Sequence, residues 1–199
     1  RLLREAFKES KIKAIDISDE MIRVAKQKSA GKNTDFIAAD IETAVFDEKF
    51  DLITSNAAFH WLPGFEKTIG KLQEMLTDGG TMAFSAFGPM TFFELKKSLN
   101  SVADKDVPMT SDLFHSKEKT ELILKKYFKT VRITERLAGE TYNSLSELLK
   151  KIKNSGTRGR GAGFNKMWSP DLLAKIENRY RERFGAIEAT YQIFFCEAS

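Results

Sequence analysis

Short apolar, β-branched runs alternate with longer stretches of helical periodicity through the first half of the chain. The apolar runs predict four strands, at residues 13–17, 35–39, 50–55 and 81–87. Between them, apolar side chains recur at three- and four-residue spacing, which is typical of helices that pack one face against a sheet. Ser18 or Asp19 is suited to cap the first of these helices, which carries Met21. The alternation predicts a parallel sheet with crossover helices.

The second half of the chain is less regular. A helix is expected over about residues 65–76, ended by Asp78, Gly79 and Gly80. Beyond it, the periodicity predicts helices at residues 91–103, 117–127, 144–153 and about 169–183, with strands at 130–137 and 190–195. The polar stretch 104–116 is expected to be a lid or a linker. Residues 104–128 and 144–168 are candidate insertions on the substrate side.

Composition narrows the class of protein. A length of 199 residues with a charged fraction of 30% and 16 phenylalanines fits one globular domain, predicted over residues 1–199. One cysteine excludes a disulfide framework or a multi-cysteine zinc site, and the two scattered histidines lack metal-ligand spacing, so no metal is expected. No apolar run approaches the ~20 residues of a membrane span. We therefore expect a soluble, cytoplasmic chain.

Three predicted strands end in polar side chains that suit a nucleoside. Asp16, with Ile17 beside it, is placed to accept hydrogen bonds from both ribose hydroxyls. Met21 could cover an adenine ring, although a helix-core position explains it equally well. Asp40, with the Ile41 backbone, is placed to accept from an exocyclic amine, and the alternative is a turn cap.

The order of these residues resembles the class I S-adenosylmethionine-dependent methyltransferases. Asp16 and Asp40 are followed at a suitable distance by Asn56 and Ala57 at the end of the third strand. The glycine-rich turn of that superfamily, about 20 residues before the first acidic residue, would lie upstream of Arg1. We therefore expect a segment before Arg1 that the sequence does not include. A Gly-x-Gly-x-Gly pattern at residues 159–163 follows a basic loop and is interpreted as a mobile loop, not as a cofactor site.

Further motifs narrow the resemblance to the malonyl-acyl carrier protein O-methyltransferases of biotin synthesis. They lie at residues 55–62, 76–80, 84–95, 149–156 and 189–194. The resemblance implies a doubly wound, Rossmann-like sheet, mostly parallel with an antiparallel C-terminal strand and helices on both faces. It also implies S-adenosylmethionine as the cofactor, bound by Asp16, Ile17, Met21, Asp40, Ile41, Asn56 and Ala57. His60 stands where the family pattern has glutamine before Trp61.

The implied substrate is the free carboxylate of a malonyl thioester on an acyl carrier protein. A carboxylate is ionised at pH 7, so no general base is expected and no catalytic residue is assigned. The candidates for the methyl-transfer pocket are Phe59, His60, Trp61 and Phe87, although a loop histidine and a core tryptophan are the structural alternative.

The basic charge of the second half suits an acidic carrier. Basic side chains outnumber acidic ones by 12 to 5 between residues 117 and 160. The candidate carrier contacts are Lys150, Lys151, Lys153, Arg158 and Arg160. Two alternatives remain: a methyltransferase of the same fold that acts on another small acid or metabolite, and a nucleic-acid-binding module. Aromatic residues are not interleaved with the basic ones as in a stacking platform, so neither nucleic acid nor a membrane is an expected partner.

Overall fold

A computed structural model describes residues 2–28, 33–154 and 169–199 of the chain. The chain divides into two compact units, Arg1–Lys49 and Phe50–Ser199, called here the N-terminal unit and the C-terminal unit. Each is described by itself. No helix in the described ranges is both long enough and apolar enough to cross a bilayer.

The N-terminal unit contains a two-stranded parallel sheet with a crossover helix. Its elements are α1 (Leu2–Ala6), β1 (Ile12–Asp16), α2 (Asp19–Lys28) and β2 (Thr34–Ala38). Asp16 pairs with Ala38 at the carboxyl end of the ladder, so both strands end at the same edge. Ser18 Oγ accepts a hydrogen bond from Met21 N at 3.3 Å, which confirms Ser18 as the cap of α2.

The C-terminal unit carries a four-stranded sheet and five helices within the described residues. The elements are β3 (Phe50–Asn56), α3 (Phe65–Glu74), β4 (Leu76–Phe87), α4 (Phe93–Ala103), α5 (Lys117–Lys125), β5 (Val131–Tyr142), α6 (Leu145–Asn154), α7 (Pro170–Phe184) and β6 (Ile187–Ala198). Two 3₁₀ turns, at Phe59–Trp61 and Thr110–Leu113, complete it.

The sheet order is β3-β4-β6-β5. β3 and β4 are parallel, and β6 is antiparallel to both β4 and β5. The predicted α/β class, with parallel strands and an antiparallel C-terminal strand, is therefore confirmed. The largest apolar cluster joins α4, α6 and α7 to the start of β6, and its fully buried members include Leu95, Leu148, Tyr180 and Ile187.

Several element boundaries differ from the sequence prediction. Helix α3 ends at Glu74, so residues 78–80 do not end it; they lie inside β4. There, Phe50 pairs with Leu76 but Leu52 pairs with Thr81, so the extra residues form a bulge. Gly79 occupies a left-handed conformation in that bulge, with φ 78°.

The last two strands are both longer than predicted. β5 continues to Tyr142 and β6 begins at Ile187, because residues 137–142 and 187–192 extend one continuous antiparallel ladder. The sequence gives little signal there, since β5 is an edge strand with mostly exposed side chains. Pairing with β6 therefore decides its length.

The polar stretch 104–116 packs against its own unit. Met109 and Phe114 are buried at 6% and 8% exposure. Asp112 Oδ2 accepts a hydrogen bond from Met109 N at 2.8 Å, and its Oδ1 lies 2.6 Å from Lys96 Nζ on α4. The segment is anchored at these points, and a lid function stays a prediction.

Candidate functional site

The carboxyl end of β1 presents a polar group surrounded by exposed apolar side chains. Asp16 is exposed, and its Oδ1 accepts a hydrogen bond from Ser18 N at 2.8 Å. Its Oδ2 accepts no hydrogen bond from the described residues. Ile17 is 70% exposed and Met21 is 53% exposed, whereas the neighbouring Ile22 is buried at 6%. The helix-core alternative for Met21 is therefore wrong, and Ile22 takes that role.

Asp40 follows the adjacent strand β2. Its Oδ1 accepts from Glu42 N at 2.9 Å, and its carbonyl oxygen accepts from Ala44 N at 2.8 Å. Asp40 therefore stabilises a turn, which is the alternative role considered for it, and Ile41 lies half-buried within that turn. Because β1 and β2 are adjacent and parallel, Asp16 and Asp40 leave the same edge of the two-stranded sheet.

The carboxyl end of β3 is fixed by a serine from the next strand. Ser85 Oγ on β4 donates to Asn56 Oδ1 at 2.7 Å. Ala57 N donates to both the carbonyl oxygen and Oγ of Ser85, each at 3.0 Å. These bonds hold Ala57 in a left-handed conformation with φ 50°, which costs a non-glycine residue about 1 kcal/mol or more and is often found at functional sites.

An aromatic cluster follows directly in the chain. His60 lies with its ring centroid 4.8 Å from Trp61, 4.8 Å from Phe87 and 4.7 Å from Phe114. Trp61 and Phe114 meet edge-to-face at 5.3 Å. We call His60, Trp61, Phe87 and Phe114 the aromatic pocket. It lies where β3 and β4 end, the edge at which open α/β sheets bind ligands.

Of the four predicted pocket residues, Trp61 and Phe87 contact His60. The fourth, Phe59, lies on the core side of the turn. Phe59 is buried at 6% exposure and packs on Phe84 with centroids 5.1 Å apart. It supports the turn from below, which is a core role. Trp61 is only partly buried, so it is not a core tryptophan.

His60 is held neutral by its surroundings. Phe87 N donates to His60 Nδ1 at 3.3 Å, so the proton of the neutral ring is assigned to Nε2. Burial lowers the pKa of His60 to about 4, because the charged form loses its hydration there. Nε2 is buried and has no hydrogen-bond partner among the described residues.

Sequence reasoning missed two residues of this site. Phe114 comes from the polar stretch 104–116 and Ser85 from the middle of β4, and neither is adjacent in the chain to residues 56–61. Phe114 had one available signal, an aromatic residue in an otherwise polar segment. Ser85 had none, because its role depends on the β3-β4 register that places Ser85 opposite Asn56.

The predicted carrier contacts lie on α6 and beyond it. Lys150, Lys151 and Lys153 are exposed, while Leu148 and Ile152 bury the opposite face of the helix. Lys151 Nζ lies 3.6 Å from Glu140 Oε1. Lys150 and Lys153 make no ion pair within the described part of the chain. The other two predicted contacts, Arg158 and Arg160, lie outside the described residues, as does the 159–163 glycine pattern.

Residues 2–28, 33–154 and 169–199 contain no group of three His, Cys, Asp or Glu side chains that could hold a metal ion. The two histidines lie in separate aromatic settings: His60 in the aromatic pocket and His115 against Phe65, with centroids 5.2 Å apart. Cys196 is buried at 3% exposure, and burial raises the pKa of its thiol to about 12. A thiol in that state is not a ready metal ligand.

Comparison with known proteins agrees with this geometry. A family model described as "Methyltransferase domain" matches residues 1–84. The structure of the YcgJ protein from Bacillus subtilis aligns with a TM-score of 0.61 at 17% identity, covering 93% of this chain and 80% of that one. A phosphoethanolamine N-methyltransferase 2 from Haemonchus contortus, in complex with S-adenosyl-L-methionine, aligns with a TM-score of 0.54 at 17% identity, covering 99% of this chain and 45% of that one.

The family model, the fold and the relative described next together define a class I methyltransferase with S-adenosylmethionine as its cofactor. The sequence is 33% identical over 193 residues to malonyl-[acyl-carrier protein] O-methyltransferase 2 of Ilyobacter polytropus. That alignment covers 95% of this chain and 73% of the relative. The chain belongs to the malonyl-[acyl-carrier protein] O-methyltransferase family.

Proposed function

We propose that this chain methylates the free carboxylate of a malonyl group carried as a thioester on an acyl carrier protein, using S-adenosylmethionine. The observation that carries the proposal is the 33% identity, over 95% of the chain, to a relative of that name. As part of the same proposal, the methyl ester enters biotin synthesis, as the family resemblance implies. The cytoplasmic location, and the expectation that neither nucleic acid nor a membrane is a partner, stay predictions from the sequence.

The N-terminal unit supplies a surface that fits the adenosine part of the cofactor. The Oδ2 atom of Asp16 is available to accept from a ribose hydroxyl, while Oδ1 is already used by Ser18 N. The exposed Ile17 and Met21 offer apolar surface next to that carboxylate. Asp40 and Ile41 leave the same edge of the sheet and would receive the adenine amine. These cofactor-binding roles are part of the proposal.

In the reaction, a carboxylate oxygen bonds to the methyl carbon as the carbon–sulfur bond breaks and its electrons stay on sulfur, so the sulfonium becomes a neutral thioether. No proton moves, and the carboxylate is already ionised at pH 7. The chain's own contribution is to orient the carboxylate and to exclude water. Orientation alone is worth about 7 kcal/mol or more in well-aligned reactions.

The aromatic pocket is suited to orient the carboxylate and to exclude water from it. Its rings meet at centroid separations of 4.7 to 5.3 Å, and they bury His60 Nε2. A carboxylate that enters such a pocket loses hydration, which raises its reactivity toward the methyl carbon. The neutral His60 adds no positive charge that would hold back the attacking oxygen.

The exposed lysines of α6 are the proposed docking surface for the carrier. Lys150, Lys151 and Lys153 add positive charge along one helix, and Arg158 and Arg160 follow in the chain. An acidic carrier would be attracted to this charge, and its remote binding energy would help to place the thioester-linked malonyl group.

The substrate assignment is tested by comparing kcat/KM for three compounds: malonyl-acyl carrier protein, a malonyl-pantetheine thioester and free malonate. We expect the carrier-linked thioester to exceed free malonate by about 100-fold or more, because only it uses the remote contacts. Equal values for all three, or a higher value for an unrelated small acid, would show that the enzyme is a same-fold methyltransferase with a different substrate.

A further inference from the structure

Buried polar atoms without a hydrogen-bond partner are rare in folded proteins, and each one requires a physical explanation. The described part of the chain has two such side-chain atoms, Arg4 Nε and His60 Nε2. The other two nitrogens of Arg4 already bond to backbone carbonyls, such as Ser10 O at 2.7 Å and Asn33 O at 2.8 Å. His60 Nε2 lies in the aromatic pocket.

The structure defines what this atom can do. Phe87 N donates to Nδ1, so Nδ1 is the acceptor and Nε2 carries the hydrogen. Nε2–H is therefore a neutral donor. Its nearest ring neighbours, Trp61, Phe87 and Phe114, offer no oxygen or nitrogen acceptor to satisfy it.

A neutral donor in an apolar pocket suits one class of ligand group in particular. An anionic oxygen gains more from such a hydrogen bond than a neutral oxygen does, because charge-assisted bonds are stronger. A cationic donor, in contrast, would neutralise the nucleophile. A glutamine side chain also presents a neutral N–H donor at its end, so it can replace the histidine in this role.

We propose that His60 Nε2–H donates a hydrogen bond to the carboxylate oxygen of the substrate that does not attack, and so orients the other oxygen toward the methyl carbon. This inference rests on the proposed function, since it takes a carboxylate as the substrate group. His60 keeps its proton throughout, so it is a substrate-binding residue and not an acid or a base.

The proposal has a consequence for access to the pocket. Because Nε2 is buried, a neighbouring ring has to shift before a ligand oxygen reaches it. Trp61 shares the 3₁₀ turn with His60, and Phe87 lies in the paired strand β4. Phe114, in contrast, follows the short turn Thr110–Leu113 outside the sheet. Phe114 is therefore the ring that we expect to shift when a ligand oxygen reaches Nε2.

The test compares His60→Leu and His60→Gln, with His115→Leu as the matched control at the other histidine. With malonyl thioester, we expect His60→Leu to lower kcat/KM by roughly 10- to 100-fold, the loss typical of a hydrogen bond to a charged group. His60→Gln retains kcat/KM within about fivefold, because it restores a neutral donor. Binding of S-adenosylhomocysteine, measured by calorimetry, stays unchanged in both variants. His60→Leu with wild-type kcat/KM, or His60→Gln as impaired as His60→Leu, would overturn the proposal.

A spectroscopic measurement needs no variant and so does not depend on how His60→Leu folds. With histidine labelled by ¹⁵N, the two histidines give two ring systems to assign. We expect His60 to show hydrogen on Nε2 and none on Nδ1, and its Nε2–H proton to move downfield when malonyl thioester and S-adenosylhomocysteine are added. An Nε2–H signal that does not respond to the substrate would contradict the proposal.

The same experiments separate this inference from the proposed function. If the wild-type chain methylates another carboxylic acid and not the malonyl thioester, the substrate assignment fails. The variant ratio and the ¹⁵N shift, measured with the accepted acid, then still decide the role of His60.

Discussion

The two units present their candidate groups in opposite ways. In the N-terminal unit, Asp16, Ile17 and Met21 are exposed and come from six consecutive positions, where β1 ends and α2 begins. In the C-terminal unit, the aromatic pocket is assembled from residues as far apart as His60 and Phe114; Phe114 is buried and the other three are partly buried. An exposed local motif can change without affecting folding, whereas a buried one contributes to binding and to stability together.

This contrast predicts which substitutions act on binding alone. A change at the surface of the N-terminal unit should lower ligand affinity and leave the free energy of unfolding nearly unchanged. A change in the aromatic pocket should alter the affinity for the substrate and also the free energy of unfolding. Substitutions in the two units therefore separate effects on binding from effects on stability.

The largest effect is the pH dependence of stability that the buried His60 causes. Burial lowers its pKa from the ordinary 6.5 to about 4 in the folded chain. Between those values the unfolded chain binds more protons, so the free energy of unfolding falls as the pH falls through this window. The loss approaches about 3 kcal/mol near pH 4.

Urea denaturation of the wild type and of His60→Gln, at several pH values from 4 to 7, measures this effect. The difference between the two proteins removes the contribution of His115, whose pKa is also lowered, mainly by burial and further by Lys119. Parallel curves for the two proteins over this window would mean that His60 is not buried in its neutral form.

Asp16→Ala should produce the next largest effect, on binding. The carboxylate makes one local hydrogen bond, to Ser18 N, and is otherwise exposed, so the substitution removes little from the fold. Loss of a charge-assisted hydrogen bond from a ribose hydroxyl to Asp16 Oδ2 would weaken binding of S-adenosylhomocysteine by roughly 10- to 100-fold. Calorimetry measures the affinity and thermal unfolding the stability.

Asp19→Ala is the matched control for Asp16→Ala, because Asp19 is an exposed aspartate in the first turn of α2. We expect the control to bind S-adenosylhomocysteine like the wild type. An equal loss of affinity in both variants would assign the effect to general negative charge and not to a specific contact of Asp16.

A charge reversal on α6 tests the carrier surface. In the double variant Lys150→Glu and Lys153→Glu, the ratio of kcat/KM for malonyl-acyl carrier protein to that for malonyl-pantetheine should fall by about 10-fold. The fall should shrink as salt rises, since exposed charges are screened. Lys67→Glu, an exposed lysine on α3, is the control. A similar ratio in control and variant would place the carrier elsewhere.

The smallest effect is expected at Ser85, which connects the two strand ends of the C-terminal unit. Ser85→Ala removes the hydroxyl that donates to Asn56 Oδ1 and accepts from Ala57 N, while the carbonyl bond to Ala57 N remains. We expect kcat to fall by about fivefold as the turn loosens, with a loss of about 1 kcal/mol in stability. An unchanged kcat with the same loss of stability would limit Ser85 to a structural role.

The part of the fold that depends on local pattern was predictable. The strands β1 to β3 and the cap of α2 follow from short apolar runs and from a serine at the right place. The end of β5 and the start of β6 could not be predicted, because residues 137–142 become a strand only by pairing with residues 187–192. The bulge at Gly79 was read as a helix end for a similar reason, since a glycine pair suits either role.

The candidate site likewise contains residues that the local sequence identifies and residues that only the folded structure identifies. Asp16 and Asp40 could be identified because they lie at the carboxyl ends of two predicted strands. Phe114 and the unpartnered Nε2 of His60 could not, because both depend on which distant side chains meet in the folded chain. Local motifs therefore identify the residues proposed to bind the methyl donor, whereas the full set of residues proposed to receive the methyl acceptor requires the tertiary structure.

The central claim is that this chain moves a methyl group from S-adenosylmethionine to the malonyl carboxylate of an acyl carrier protein. Intact-mass spectrometry of the carrier, after incubation with the enzyme and a methyl-labelled donor, tests it most directly. The account predicts that one labelled methyl appears on the malonyl group and is released by ester hydrolysis. A label that stays on the carrier after ester hydrolysis, or no label on the carrier while the donor binds the enzyme, would contradict it.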